Sequence, residues 1–139
     1  MLRIEHINLV VSNVSEMMDF YKIVFPHWKV LRQGDSDWYG KPRHWVHFGD
    51  DFTYLALSDN GEADNRDLSG HQVGLAHFAF EVSGLADLIK RLTGAGFKIA
   101  QDGAENSYRN NIYFIDPAGF EVEFVEYFSD QPSQRNSDS

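Results

Sequence analysis

Two segments of the chain, EHINLVVSNV at residues 5–14 and AHFAFEVSGL at residues 76–85, superpose at a constant offset. The superposition pairs equivalent residues: His6 with His77, Val11 with Val82, and Ser12 with Ser83. Each segment carries a histidine in an alternating, strand-like pattern and leads into a serine that precedes a helical pattern. An internal duplication is the simplest explanation, and it predicts that the chain contains the same supersecondary unit twice.

Helical patterns follow both segments. The first begins at Ser12 or Asn13, with Glu16 placed to form a capping box, and it ends at Pro26. Its apolar stripe contains Val14, Met17, Met18, Tyr21 and Val24 or Phe25. The second helix begins at Ser83 or Gly84 and stops at the glycine-rich stretch 94–96. Its apolar stripe contains Leu85, Leu88, Ile89 and Leu92.

Strand-like segments surround both helices, so each half of the chain has the order βαβββ. We therefore predict an α+β fold made of two βαβββ modules, residues 1–58 and 74–127, in a single domain. The segment between them, residues 59–73, is polar and rich in Gly, Asp and Asn, and it is predicted to be a linker. Residues 128–139 are predicted to be a disordered tail, because the stretch SDQPSQRNSDS has no apolar residue.

The composition restricts the possible partners. The net charge is −9, from 21 acidic against 12 basic residues, which argues against nucleic acid or an anionic membrane surface as a partner. No apolar run approaches the roughly 20 residues of a membrane span, and the N-terminus lacks a signal-peptide pattern. Cysteine is absent, which excludes disulfides and thiolate ligands. We expect a cytoplasmic protein whose partner is a small molecule, a metal ion or a second copy of the chain.

Strand alternation places the two equivalent histidines on corresponding sheet faces. His6 and Asn8 share the face opposite to Leu9, and His77 lies opposite to Phe78. The strongly apolar face of each module should pack under its own helix. The histidines therefore belong to the uncovered faces, which would line a cleft if the two sheets came together.

The last strand adds carboxylates to this pattern. Glu121 and Glu123 point away from the apolar side chains of Val122 and Phe124. Two imidazoles and a carboxylate are suitable donors for Fe²⁺, Mn²⁺, Ni²⁺ or Zn²⁺, and three such ligands leave coordination positions for water or substrate. The competing interpretation is that each histidine is an ordinary hydrogen-bonded strand residue, which is the commoner role of a single strand histidine.

The segments IEHINLVVSNVSEMMDFY, GLAHFAFEVSGLADLIKRL and YFIDPAGFEVEF resemble the vicinal oxygen chelate superfamily. This superfamily includes glyoxalase I, type I extradiol dioxygenases, fosfomycin-resistance transferases, methylmalonyl-CoA epimerase and the metal-free bleomycin-resistance proteins. The resemblance covers residues 2 to 127. It implies two βαβββ modules whose curved sheets surround a metal cleft, and it implies a homodimer. It also implies one divalent metal ion held by His6, His77 and Glu123.

The chain departs from two of these subfamilies. Glyoxalase I-like members have a fourth carboxylate ligand where this chain has Leu55 or Ala56, and many have an arginine where it has Val10. A true glyoxalase I activity is therefore not expected. The closing motif matches that of extradiol dioxygenases at Tyr113 and the DPxG turn, but the histidine expected upstream is absent from residues 104–106. His47 aligns with Tyr113 between the modules and could supply an imidazole in its place, whereas His44 lies on the opposite face.

Fosfomycin transferases share the three-ligand set but need a basic pocket for the phosphonate. The only basic residue near the closing hairpin is Arg109, with Lys41 and Arg43 in the first module. We expect Asn8, Arg109 and the aromatic-loop residue Trp38 to contact substrate. Tyr113 is a candidate hydrogen-bond donor or general acid, with a core aromatic residue as the alternative.

Two classes of function follow from the resemblance. In the first, the protein is a metal-dependent enzyme that chelates a small oxygen-rich substrate, with dioxygenase, lyase or isomerase chemistry. In the second, it is a binding protein of the bleomycin-resistance type, which sequesters a small molecule without metal. The ligand set His6, His77 and Glu123 favours the enzyme.

Overall fold

A computed structural model of the chain describes residues 1–138. In this part of the chain the secondary-structure elements are β1 (His6–Val10), α1 (Val14–Val24), β2 (Lys29–Trp38), β3 (Lys41–Gly49), β4 (Tyr54–Ser58), β5 (Phe78–Glu81), α2 (Leu85–Gly94), β6 (Ile99–Asp102), β7 (Arg109–Ile115), β8 (Glu121–Tyr127) and α3 (Pro132–Arg135). The strands form two four-stranded mixed sheets, in the orders β1-β4-β3-β2 and β5-β8-β7-β6. Both orders are the same relative to the start of each half. The predicted α+β fold with duplicated βαβββ modules is therefore confirmed.

The duplication extends to irregularities in strand pairing. In each sheet the opening strand runs parallel to the closing strand, and the other neighbours are antiparallel. The second strand of each half has a register shift at the equivalent place, before Arg32 in β2 and before Gln101 in β6. A bulge reorients the strand that follows it, so its retention in both halves preserves the direction of the same side chains. The chain divides into two compact units, Met1–Asp64 and Asn65–Ser139, with a boundary inside the segment predicted to be a linker.

The two helices begin in different ways. Asn13 caps α1, where its side-chain oxygen accepts a hydrogen bond from the backbone N–H of Glu16 at 3.0 Å. The N-cap of α2 is Gly84, which has a positive φ of 71° and provides no side-chain cap. Its own N–H instead donates to Glu126 Oε2 at 2.6 Å. The two helices therefore begin where the sequence predicts, but only the first uses a capping side chain.

Each helix covers one face of its own sheet. The buried side of α1 consists of Val14, Met17, Phe20, Tyr21 and Val24, so Phe20 joins the predicted stripe and Met18 is only half-buried. In α2 the buried residues are Leu85, Leu88 and Leu92. Sheet residues of alternating position complete the two cores: Leu9, Val46, Leu55 and Leu57 in the first unit, and Phe114, Val122 and Phe124 in the second. Each of these large side chains contributes about 1.5–3 kcal/mol through its removal from water.

The C-terminal segment differs from the prediction of a disordered tail. It contains the one-turn helix α3, and it is attached to the second unit by Arg135. The Arg135 guanidinium lies 2.8 Å from Glu81 Oε1 and 3.8 Å from the centre of the Tyr127 ring. These polar and cation–π contacts replace the apolar residues whose absence from this stretch suggested disorder. The last residue of the predicted tail, Ser139, lies outside the described residues.

No helix in residues 1–138 combines the length and the apolar character that a membrane crossing requires.

Candidate functional site

The uncovered face of the second sheet carries the closing-strand glutamates. The strand register pairs Ala79 of β5 and Tyr113 of β7 with Glu123 of β8. Paired residues on neighbouring strands point to the same side of a sheet, and side chains alternate along each strand. His77, Tyr113, Glu121 and Glu123 therefore share one face, as the alternation in the sequence predicts.

The turn between β7 and β8 determines this register. Asp116 is buried, with 3% exposure, and its Oδ1 accepts hydrogen bonds from the backbone N–H groups of Ala118 at 2.9 Å and Phe120 at 3.0 Å. Gly119 has a φ of +85°, a conformation that favours glycine. The DPxG sequence therefore forms a defined turn, and the turn brings Tyr113 directly opposite Glu123.

The structure brings together His77 and Glu123. Their closest atoms, Nε2 of His77 and Oε1 of Glu123, are 3.6 Å apart, and Nδ1 of His77 lies 3.9 Å from Glu121 Oε1. Two ligands at about 2.1 Å from a common metal ion, in adjacent positions, are about 3.0–3.4 Å apart. The separation of His77 and Glu123 is close to that range, and an imidazole with a carboxylate suits a divalent cation. This pair of residues therefore fits a metal ion.

The surroundings of Glu121 differ from the solvated position expected from the sequence. Its side chain is 22% exposed, against 15% for Glu123, so both carboxylates are largely covered. Glu121 lies next to the second nitrogen of His77 rather than pointing into open solvent.

A hydrogen bond holds the other side of Glu123. Asn111 Nδ2 donates to Glu123 Oε2 at 2.7 Å. Burial, and then the charge of Glu123, raise the pKa of Tyr113 above its ordinary value. The Tyr113 phenol is therefore neutral near pH 7 and available as a hydrogen-bond donor. Its ring meets the ring of His77 edge to face, with centroids 5.4 Å apart.

Asn111 was not predicted from the sequence, and its surroundings are unusual. Its Oδ1 is buried and has no hydrogen-bond partner within the described residues 1–138. The side chain packs directly against Gly103, where a Cβ atom would overlap both Oδ1 and the backbone oxygen of Asn111. The same alternation that places Tyr113 on this face places Asn111 there too, and this pattern is the signal that could have identified it.

The first unit has a different face at the equivalent positions. His6 is paired with Tyr54, and Asn8 and His47 are both paired with Ala56. Ala56 is thus the counterpart of Glu123, and His47 is the counterpart of Tyr113. Of the two residues considered for a fourth ligand position, Ala56 rather than Leu55 lies on this face, and neither has a ligating side chain.

Aromatic rings and imidazoles cover this face of the first unit. Tyr54 stacks on His6, with ring centroids 4.7 Å apart, and on His47 at 4.6 Å. Glu5 Oε1 lies 3.0 Å from Nδ1 of His6 and accepts a hydrogen bond from the Tyr54 hydroxyl at 3.2 Å. When Nδ1 of His6 carries the proton of this hydrogen bond, Nε2 is the free nitrogen.

Burial, and then the positive charge of Arg32, lowers the pKa of His47. His47 is therefore neutral near pH 7.

The remaining candidates have varied surroundings. Asn8 is exposed on the same face as His6. Trp38 lies under the guanidinium of Arg43, 4.8 Å from the ring centre. Arg109 Nη1 donates to the backbone oxygens of Arg135 at 3.0 Å and Ser137 at 2.9 Å. His44 lies on the other strand face, as predicted, with its Nδ1 2.9 Å from Asp35 Oδ1.

The described residues contain no group of three or more His, Asp or Glu side chains arranged to hold a metal ion. Of the three predicted ligands, His77 and Glu123 lie together in the second unit, and His6 belongs to the first unit.

Comparison with proteins of known structure identifies related folds. A domain from Frankia sp. EAN1pec, described as glyoxylase/bleomycin resistance protein/dioxygenase, is 21% identical, with a TM-score of 0.74 and 99% of both chains covered. A glyoxalase family protein from Bacillus cereus is 12% identical, with a TM-score of 0.74, 93% of this chain covered and 96% of the other. An E126Q mutant of the fosfomycin resistance protein FosX from Listeria monocytogenes, complexed with Mn(II) and 1S,2S-dihydroxypropylphosphonic acid, is 15% identical, with a TM-score of 0.70 and 99% of both chains covered.

None of the curated proteins compared with the chain matches its sequence significantly. A family model, Glyoxalase/Bleomycin resistance protein/Dioxygenase superfamily, matches residues 3–124, which is most of the chain. Together with the duplicated mixed sheets, this match establishes the family. The chain belongs to the glyoxalase/bleomycin resistance protein/dioxygenase superfamily.

Proposed function

We propose that the protein is a divalent-metal-dependent enzyme that uses His6, His77 and Glu123 as metal ligands. The observation that carries the proposal is the position of Glu123. One of its oxygens lies 3.6 Å from His77 Nε2, while Asn111 occupies the other at 2.7 Å. Glu123 is largely buried, although no helix covers this face of the sheet. A cation bound to both its carboxylate and the imidazole of His77 would offset the free-energy cost of burying the negative charge.

The superfamily and one related fold support the same function. The Listeria FosX structure contains Mn(II), so a fold of this kind can hold a divalent ion. When bound, the metal would act as a Lewis acid toward a small substrate that has two neighbouring oxygen atoms. This general chemistry is common to dioxygenase, lyase and isomerase reactions.

Two neutral groups on the uncovered faces are suited to proton transfer. His47 has a lowered pKa, so its imidazole is neutral near pH 7 and can accept a proton. Tyr113 has a raised pKa, so its hydroxyl keeps its proton and can donate a hydrogen bond to a developing oxyanion. We propose His47 as a general base and Tyr113 as a hydrogen-bond donor. Substrate contacts are proposed for Asn8, Trp38 and Arg109, and the cytoplasmic homodimer expected from the sequence remains a prediction.

Elemental analysis with matched variants tests the metal site. We expect purified protein, loaded with Mn²⁺, Fe²⁺, Ni²⁺ or Zn²⁺ and then desalted, to retain close to one ion per chain. Loss of one protein ligand should weaken the site strongly, so His6→Ala, His77→Ala and Glu123→Gln should each retain much less metal. His44→Ala and Glu126→Gln are the controls, because His44 lies on the other face of its strand and Glu126 accepts a hydrogen bond from the backbone N–H of Gly84.

The outcome separates the two classes of function. Retention of metal by the unaltered protein and both controls, with loss in the three ligand variants, supports the enzyme. If the unaltered protein retained none of the four ions, the metal-dependent function would be wrong and a metal-free binding protein would be favoured. Anaerobic Fe²⁺ loading, followed by a catechol panel monitored for coloured ring-cleavage products, then tests for dioxygenase activity.

A further inference from the structure

Asn111 is the polar side chain in closest hydrogen-bonding contact with Glu123 on the uncovered face of the second sheet. It belongs to β7, one diagonal step from Glu123 on the neighbouring strand, since Asn111 pairs with Val125 and Tyr113 pairs with Glu123. Its Nδ2 donates to Glu123 Oε2 at 2.7 Å, the distance of a charge-assisted hydrogen bond. The contact leaves Oε1 as the oxygen nearest to His77.

The orientation of the Asn111 amide is determined by its surroundings. Rotating the amide by 180° would place Oδ1 against the Glu123 carboxylate, and two acceptors would then face each other. In the orientation that donates to Glu123, Oδ1 points into a buried space beside Gly103 and has no partner within residues 1–138. The amide thus makes one strong hydrogen bond and leaves a buried acceptor unsatisfied.

This combination is unfavourable for folding, because a buried acceptor without a partner loses its hydration and gains nothing in return. An apolar side chain of the same size would avoid that loss. The hydrogen bond to Glu123 satisfies one oxygen of a largely covered carboxylate and fixes its position, at the cost of the unsatisfied Oδ1.

We propose that Asn111 is a positioning residue that orients Glu123 as a metal ligand. This inference rests on the proposed metal site and adds to it the group that fixes one of the ligands. By holding Oε2, Asn111 restricts rotation of the carboxylate and directs Oε1 toward the side of His77. Hydrogen bonds from outer residues to a ligand typically change metal affinity by about 10–100-fold.

Gly103 helps to position the Asn111 side chain. Because it lacks a Cβ, the Asn111 side chain can lie directly against the backbone at the end of β6. Any side chain at position 103 would have to displace either the amide or the backbone of β7. Gly103 therefore contributes to the position of Glu123 without contacting it.

Manganese binding to three variants tests the proposal. The variants are Asn111→Leu, an apolar replacement of similar size; Asn111→Ser, which is too short to reach Glu123; and Asn110→Ser, the matched control, an exposed residue whose side chain points to the other face of β7. Mn²⁺ affinity is measured by calorimetry, or by electron paramagnetic resonance of free Mn²⁺, and the melting temperature of each metal-free protein is measured in parallel. Neither measurement depends on an enzyme assay.

We expect Mn²⁺ affinity to fall by about 10-fold or more in Asn111→Leu and Asn111→Ser and to stay unchanged in Asn110→Ser. The melting temperature of metal-free Asn111→Leu should stay close to that of the unaltered protein, because removal of the unsatisfied oxygen offsets the loss of the hydrogen bond to Glu123.

If the unaltered protein binds Mn²⁺ and both Asn111 variants bind it equally well, the positioning role is wrong and the metal site stands. If affinity and melting temperature fall together in both variants, Asn111 is a structural residue and the inference is also wrong. Failure of the unaltered protein to bind Mn²⁺, Fe²⁺, Ni²⁺ or Zn²⁺ overturns both the site and the role of Asn111.

Discussion

In both units a glycine leaves room for a large side chain on the neighbouring strand, but that side chain differs between the units. In the first unit Gly34 is paired with Trp45, and a Cβ at Gly34 would lie only 2.9 Å from the indole ring. In the second unit Gly103 makes the same kind of room for Asn111. By strand register, Trp45 and Asn111 occupy equivalent positions, as do Ala56 and Glu123.

The two units therefore differ at two neighbouring positions at once. In the second unit an amide donor accompanies a carboxylate, and in the first unit an indole accompanies an alanine. A hydrogen-bond donor stabilises a carboxylate at a covered sheet position, so we expect the effects of the two exchanges on stability to be coupled. The duplicated fold has kept a charged face in one unit and an aromatic face in the other.

The largest expected effect comes from placing the carboxylate in the wrong unit. Ala56 is only 5% exposed and has Trp45 as its neighbour, so Ala56→Glu should lower the free energy of unfolding by about 3 kcal/mol. Adding Trp45→Asn should recover part of this loss, with a favourable coupling of about 1 kcal/mol in a double-mutant cycle. Urea unfolding of the two single variants and the double variant measures both quantities. Independent, additive effects would mean that the exchange is not coupled.

A smaller effect is expected at the two helix starts. Asn13→Ala removes the side-chain cap of α1 and should cost about 1 kcal/mol. Gly84→Ala should cost a similar amount, about 1 kcal/mol, for a different reason: its φ of 71° is unfavourable for a residue with a Cβ. Ser15→Ala, at an exposed position within the first turn of α1, is the control and should be neutral or slightly stabilising. Thermal and urea unfolding distinguish these results, and a neutral Gly84→Ala would contradict the assigned left-handed conformation.

The smallest expected effect is on the pH dependence of the unfolding free energy, to which His47 contributes below pH 6.5 and its counterpart Tyr113 does not. The pKa of His47 is lowered in the folded protein, so the unfolded chain takes up the proton more readily. Its contribution to stability is present above the ordinary pKa of 6.5 and is lost as the pH falls through the lower pKa of the folded state. In metal-free protein, His47→Gln should therefore flatten the decline of the unfolding free energy below pH 6.5. Tyr113→Phe should leave this slope unchanged, because the pKa of Tyr113 is raised above 10.0.

Alternation and repetition made the fold and the shared faces predictable. The match between the segments around His6 and His77 predicted two modules, and the period of two placed Glu123 and Tyr113 on one side of their sheet. The DPxG sequence predicted the turn that sets their register. These features depend on local sequence patterns, and local patterns are visible in one sequence.

Features that depend on contacts between distant residues were missed. Asn111 was overlooked because its importance comes from a diagonal partner on β8 and from the close approach of Gly103. The order of the C-terminal segment was missed because Arg135 anchors it through Glu81 and Tyr127, which lie on two other strands. The stacking of Tyr54 on both His6 and His47 likewise requires the strand order, which a single sequence does not contain.

Gly34 and Gly103 occupy equivalent positions, but the two positions should differ in the substitutions that they tolerate. At Gly34 an added methyl group would meet the far end of an indole, which can swing aside. At Gly103 it would meet a hydrogen-bonded amide and a backbone oxygen, which cannot move without disturbing the strand. A saturation library should thus accept small residues at position 34 and reject them at position 103. The residue without a side chain at position 103 therefore restricts substitution in the second unit more strongly than its counterpart at position 34 does in the first.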